Sequence, residues 1–138
     1  MVLRYYFDIS IWLDFFEDRN EPDLLKGKLV RELIKKMTFE NSLIIYSDAV
    51  IDELIEQGYD SNEIEDLFQP LNEILLFVES DKKQFGKAKD LANKRNLPVF
   101  DAFHALIARD NKARLISRDN HFKKLLDIVK CKKPEELI

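Results

Sequence analysis

Carboxylates stand at recurring places in this sequence. Asp8 lies in an apolar run over 3–9, Ser47 and Asp48 close another over 43–46, and Asp119 follows a short run over 114–117. Asp101 and His104 are three residues apart and so share one face of a helix, with Ala105 and Ala108 beside them. Carboxylates gathered in one place repel each other, and that cost falls when a divalent cation sits among them. Two such cations about 3.5–4 Å apart can activate a water and stabilise the leaving oxygen of a phosphodiester. Aspartate and serine after a strand are also ordinary helix caps, so each residue taken singly has a structural explanation.

Other chemistries lack their residues. The only cysteine, Cys131, leaves no disulfide framework and no cysteine-based zinc site. The two histidines, His104 and His121, form no HExxH pair. Gly27, Gly58 and Gly86 are far apart, so no glycine-rich phosphate cradle exists, and ATP-driven or dinucleotide chemistry is not expected. No apolar run reaches the roughly 18 residues that span a bilayer, and no signal-peptide pattern opens the chain. The expectation is a soluble cytoplasmic protein with no membrane partner. The net charge of −4 conceals an asymmetry. Residues 1–69 carry 7 Lys+Arg against 16 Asp+Glu (−9), and residues 70–138 carry 15 against 10 (+5). The second half has the charge that a nucleic-acid surface needs.

The elements that must position the acids follow from periodicity. At 138 residues and 46% hydrophobic content, a single domain over 1–138 can close its own core. Continuous apolar runs at 3–9, 43–46, 74–78, 114–117 and 128–129 have strand length. Between them lie helical stretches. Ser10 is placed to cap one over IWLDFF, Asp23 to cap another through Met37, and Ser47 or Asp48 to cap a third that ends at Gly58. Asp60–Ser61, Asp81 and Asp101 open three more, the last almost wholly apolar. Uniformly apolar strands separated by helices indicate a parallel sheet covered on both faces. The fold class is α/β: a three-layer α/β/α sandwich around a central parallel sheet of four to five strands. In such folds the ligand site lies outside the carboxyl ends of the strands, which is the edge where Asp8, Asp48 and Asp119 fall.

On the third helix, Val50, Ile51, Leu54 and Ile55 define an apolar stripe, and Glu56 points away from it to water. Asp52 and Glu53 sit on opposite margins of that stripe, and periodicity does not separate them. Asp101 beside an apolar helix needs a partner if buried, and His104 is within reach as a hydrogen-bond partner or as a satisfied core histidine.

Four motifs in order resemble the PIN-domain ribonucleases, in particular the VapC-like toxins of bacteria and archaea. They are Asp8-Ile9-Ser10 after the first strand, Ser47 with Glu53-Leu54 in the following helix, Pro98 with Asp101-Ala102-Phe103-His104, and Ser117-Arg118-Asp119 with Phe122. The resemblance covers nearly the whole chain, including Pro134-Glu135-Glu136-Leu137. It implies that Asp8, Glu53, Asp101 and Asp119 are the catalytic and metal-binding acids, which selects Glu53 over Asp52. In that family such acids hold Mg²⁺ or Mn²⁺, and a water activated there attacks an RNA phosphodiester. Asp8, Glu53 and Asp101 would hold the metal directly or through water, with Asp119 in a supporting tier. Ser10 and Ser117 match supporting hydroxyl positions, with His104 as a further supporting residue. Ile9 stands where a threonine is frequent. His121 lies in a turn where the family varies, and reads as surface.

RNA flanking such an acidic centre needs cations elsewhere. Lys82, Lys83, Lys87, Lys89, Lys94 and Arg95 on the helix after 81, with Arg118, are the candidates, although a lysine-rich helix face is also an ordinary solvated face. The resemblance further implies a small antitoxin protein as inhibitor and a homodimer. Trp12, Phe15, Phe16, Leu24 and Leu25 could line such an interface or belong to the core. Two alternatives stay open: a non-catalytic PIN-fold module that binds RNA or protein, and a free-standing PIN nuclease with no antitoxin. A dehalogenase-like phosphatase wants D-x-D, and Ser10 occupies the second position. A receiver domain wants its aspartate at the end of the third strand, where Glu79, Ser80 and Asp81 match poorly.

Overall fold

A computed structural model of the chain describes residues 2–138. In order, the elements are β1 (Arg4–Phe7), α1 (Ile9–Phe16), α2 (Lys26–Phe39), β2 (Leu43–Ser47), α3 (Asp48–Glu56) and α4 (Ser61–Phe68). They continue with β3 (Leu75–Val78), α5 (Lys82–Arg95), α6 (Val99–Asp110), β4 (Arg114–Ile116) and β5 (Cys131–Lys132). Three short 3₁₀ turns lie at Gln69–Leu71, Asn120–Leu125 and Pro134–Glu136. The five strands form one parallel sheet in the order β3-β2-β1-β4-β5, flanked by helices in the expected α/β/α sandwich.

The central strands are apolar because both of their faces are covered. Tyr5, Tyr6, Phe7, Ile44, Ile45, Leu115 and Ile116 are all buried. Phe7 pairs with Ile116, so the next residues along the two strands, Asp8 and Ser117, emerge side by side. The order reverses at β1, with β2 on one side and β4 on the other, and the crevice at this reversal is where open α/β sheets bind ligands. Trp12 is fully buried and packs on Phe7, Phe16 and Phe68 with ring centroids 5.0, 5.5 and 4.8 Å away. That aromatic cluster fixes α1 to the sheet, and with it the position of Asp8. Phe15 and Phe16 pack on the same core, whereas Leu25 is exposed and Leu24 only half-buried.

Several boundaries differ from the sequence reading. Helix α1 starts one residue before Ser10, and its N-cap is Asp8, whose carboxylate accepts the Ile11 N–H at 3.2 Å. Asp23 caps nothing: α2 begins at Lys26 after a Glu21–Leu24 bridge, with no side-chain cap. Helix α6 begins at Val99 behind Pro98, so Asp101 lies inside its first turn. The last strand is Cys131–Lys132, and Ile128–Val129 form the turn before it, with Val129 buried. Asp60 and Asp81 do cap α4 and α5, each in a reciprocal box with Glu63 or Gln84. Among the described residues no helix is long and apolar enough to cross a membrane.

The approach of α2 to the α1 terminus is close enough to demand glycine. A Cβ on Gly27 would stand 2.9 Å from both the Asp14 carbonyl oxygen and the Asp18 carbonyl carbon, and 2.5 Å from Asp18 Oδ1. Gly27→Ala is predicted to lower stability by about 1–3 kcal/mol through this overlap. Urea unfolding checks it, and an unchanged midpoint would refute the steric account.

Candidate active site

Asp8 sits at the carboxyl end of β1 and is 4% exposed. Its carboxylate accepts hydrogen bonds from the Ile11 N–H, from the Ser10 hydroxyl at 2.8 Å and from the Ser117 hydroxyl. Ser117 Oγ in turn accepts the Asp119 N–H at 3.0 Å, so one hydroxyl links the first acid to the loop that carries the last. Burial pushes the Asp8 carboxyl up to about 6, opposed by the bonds from Ser117, Ser10 and Ile11. Ser10 and Ser117 therefore favour the ionised form of a carboxyl that its surroundings would keep neutral.

A second chain of polar groups runs beneath the sheet edge. Glu53 contacts Nε2 of His104, whose Nδ1 lies 2.6 Å from the Tyr6 hydroxyl, and that hydroxyl lies 2.7 Å from Ser47 Oγ. Tyr6, His104 and Ser47 are all buried. Burial, first of all, raises the Tyr6 phenol well above its ordinary range, so it stays protonated. In the tautomer that donates from Nε2 to Glu53, Nδ1 accepts from Tyr6 and Ser47 donates to Tyr6, which satisfies every member. His104 is thus a hydrogen-bonded core histidine that also orients an acid. The sequence gives no sign of this chain: Tyr6 reads as a strand residue, and Ser47 as a cap or as part of the motif with Glu53-Leu54. Ser47 does occupy the N-cap position of α3 but makes no side-chain cap bond.

The setting of α3 gives Asp52 and Glu53 different surroundings. Ile55 is 49% exposed, and the buried face runs through Ala49, Val50 and Leu54. This rotation leaves Asp52 exposed and turns Glu53, half-buried, toward His104. Asp48 faces elsewhere, accepting from the Ser80 N–H and hydroxyl at 2.7 and 2.6 Å. It ties α3 to the loop after β3.

Asp101 and Asp119 meet through a residue read as plain surface. His121 Nδ1 lies 2.8 Å from Asp101 Oδ2 and 3.1 Å from Asp119 Oδ1, and one donor atom from each of the three residues lies within 4.8 Å of the others. His121 is exposed, but it is part of this cluster. The Asp101 carboxyl is raised, by burial first and by the neighbouring Asp119 carboxylate second, while His121 and His104 lower it. Crowded carboxylates of this kind, with an imidazole beside them, are a donor set suited to a divalent cation. Asp8 and Glu53 lie outside this tight group but are joined to it through Ser117 and through helix α6.

The candidate cations divide. Lys82, Lys83, Lys87, Lys89 and Lys94 are exposed on α5, with no salt bridge among the described residues. Arg95 is held by Asp127, and Arg118 turns inward, its Nη1 donating to Glu135 at 2.7 Å and its Nε 3.9 Å from buried Asp14. Arg118 is therefore a tie between the Asp119 loop and the C-terminal turn, not a free phosphate contact. A shallow groove beside Ser117 and Asp119 brings together Lys123, Lys132 and Lys133. These were not anticipated, because they come from two separate segments.

The sequence matches a family model described as PIN domain over residues 5–126. No curated protein matches it. Among solved structures, VapBC-1 from nontypeable Haemophilus influenzae is similar with a TM-score of 0.67 at 18% identity, covering 96% of this chain and 99% of that one. A toxin-antitoxin complex from Klebsiella pneumoniae gives 0.62 at 16%, covering 94% and 97%. A protein from Pyrobaculum aerophilum gives 0.56 at 18%, covering 99% and 95%.

The raised Asp8 carboxyl has a consequence for stability. The folded state holds this proton more tightly than the unfolded chain, whose ordinary value is 3.8. The stabilisation is therefore complete below about pH 4 and is lost as the pH rises through about 6, by on the order of 3 kcal/mol. Asp8→Asn keeps a good N-cap residue and removes this titration. In EDTA, the difference in unfolding free energy between variant and wild type is predicted to grow in favour of the variant from pH 4 to 7. Parallel pH profiles in urea titrations would contradict it.

Proposed function

Because the chain belongs to the PIN domain family of nucleases, we propose that it is a divalent-metal-dependent endoribonuclease built as one domain over 1–138. The observation that carries this reading is the convergence of Asp101 and Asp119 at the carboxyl edge of the sheet, linked by the Ser117 hydroxyl to Asp8. Asp8, Glu53 and Asp101 are the acids assigned to hold Mg²⁺ or Mn²⁺, and Asp119 supports them. The cation supplies charge for activating water and for stabilising the phosphodiester as its bond breaks. The protein's own groups do the rest. Ser10 and Ser117 keep Asp8 ionised, and the Tyr6–His104 pair fixes Glu53 in one rotamer.

RNA reaches the centre across positive charge. Lys82, Lys83 and Lys87, exposed on α5, and Lys123 and Lys133 in the groove beside Asp119 are the cations assigned to the phosphates on either side of the scissile bond. Toxin-antitoxin complexes stand among the structural neighbours, which supports a VapC-like toxin role with a small antitoxin as inhibitor; the reading places the protein in the cytoplasm as a homodimer. Leu25, exposed beyond the Trp12 core, is a contact residue available to such a partner.

A labelled structured RNA incubated with the protein and Mg²⁺, Mn²⁺ or EDTA tests the reading. Cleavage is expected only with metal, and Asp8→Asn and Asp101→Asn are each expected to reduce it by about 100-fold or more. Cleavage equal in wild type and variants would refute the assignment. Metal-independent RNA binding with no cleavage of any RNA would favour a non-catalytic module instead.

A further inference from the structure

We infer that His121 is a nitrogen ligand of the cation that Asp101 holds and Asp119 supports, and that it biases this centre toward first-row transition ions over Mg²⁺. The inference rests on the metal-dependent reading above and specifies which ion the site takes.

The geometry begins with the backbone. The Asp119 carboxylate accepts the His121 N–H at 2.9 Å, closing the turn that opens the Asn120–Leu125 segment. Phe122, the next residue, is 1% exposed and anchors that segment in the core. His121 is thereby presented from a fixed turn. Its Nδ1 faces Asp101 across from the first turn of α6, 2.8 Å from one carboxylate oxygen and 3.1 Å from an oxygen of Asp119. Neighbouring donors around a six-coordinate ion with bonds of about 2.1 Å lie about 3 Å apart, which is the spacing found here.

Ligand chemistry then sets the preference. Mg²⁺ is a hard ion that favours oxygen and dehydrates reluctantly, so an imidazole adds little to its binding. First-row transition ions accept imidazole nitrogen well, with affinity rising from Mn²⁺ through Co²⁺ and beyond. An all-carboxylate site discriminates weakly between Mg²⁺ and Mn²⁺, whereas one nitrogen among the donors favours the latter. His104 is not an equivalent source of nitrogen, since both of its ring nitrogens are engaged by Tyr6 and Glu53.

Mn²⁺ is the probe, because its electron spin reports a directly bonded nitrogen. Full-length protein loaded with Mn²⁺ is expected to show ¹⁴N modulation in pulsed EPR, lost in His121→Ala. Titration calorimetry with each ion is expected to show the Mn²⁺-over-Mg²⁺ affinity ratio falling about 10-fold in His121→Ala. His121→Asp restores a ligand of oxygen type, so it is expected to bind Mg²⁺ at least as tightly as wild type, still without nitrogen modulation. A merely structural histidine would not produce that exchange of preference. Mn²⁺ bound by wild type without nitrogen coupling, or an unchanged affinity ratio in His121→Ala, would overturn the inference and reduce His121 to an ion-pair partner of the two acids. In that case, cleavage abolished by Asp101→Asn would leave the nuclease reading standing. No Mn²⁺ binding by wild type would remove both.

Discussion

A single buried carboxylate organises this molecule. Asp8 follows the central strand, caps the first helix and accepts two hydroxyls from opposite ends of the chain. Taking that charge from water is costly, and three hydrogen bonds offset only part of the cost. The remainder is a standing demand for positive charge at the carboxyl edge of the sheet. The arrangement of Glu53, Asp101 and Asp119 deepens that demand. A fold that gathers anions where it could have placed apolar groups gives up stability at this edge, and a cation bound there would return it.

Two different devices hold the acids in place. Around Asp8 and Asp119 the device is a serine hydroxyl that donates to one and accepts from the backbone of the other. Around Glu53 it is a buried chain from Ser47 through Tyr6 and His104, in which each proton has one satisfied destination. The first keeps a loop near a strand, and the second keeps a helix side chain in one rotamer. Arg118 adds a mechanical tie by bridging toward Asp14 and Glu135.

Much of this was legible in the sequence because the central strands are buried on both faces and therefore read as unbroken apolar runs. Asp8, Asp119 and the edge they share followed from the parallel-sheet rule alone. What failed to show had local causes. The edge strand Cys131–Lys132 is only two residues long and half polar, so the more hydrophobic Ile128–Val129 drew the assignment. The apolar periodicity of α3 includes Ile55, yet the helix is rotated so that Ile55 faces solvent and Glu53 faces in. Arg118 adjoins Asp119 in sequence, and its ion pair with Glu135, seventeen residues on, has no local sequence signal. The direction of His121 has no sequence signal, because a turn has no periodicity.

The link between Ser117 and Asp8 spans 109 residues of sequence. Its significance lies in time as much as in space. During synthesis the first strand and helix emerge with Asp8 already in place, but strands β4 and β5 and the Asp119 loop do not yet exist. Contacts this distant in sequence form late in folding. A ribosome-bound chain therefore lacks the Ser117–Asp8 link until β4 and the residues after it have been made and docked. The topology itself holds Asp8 apart from Ser117 and the Asp119 loop until then.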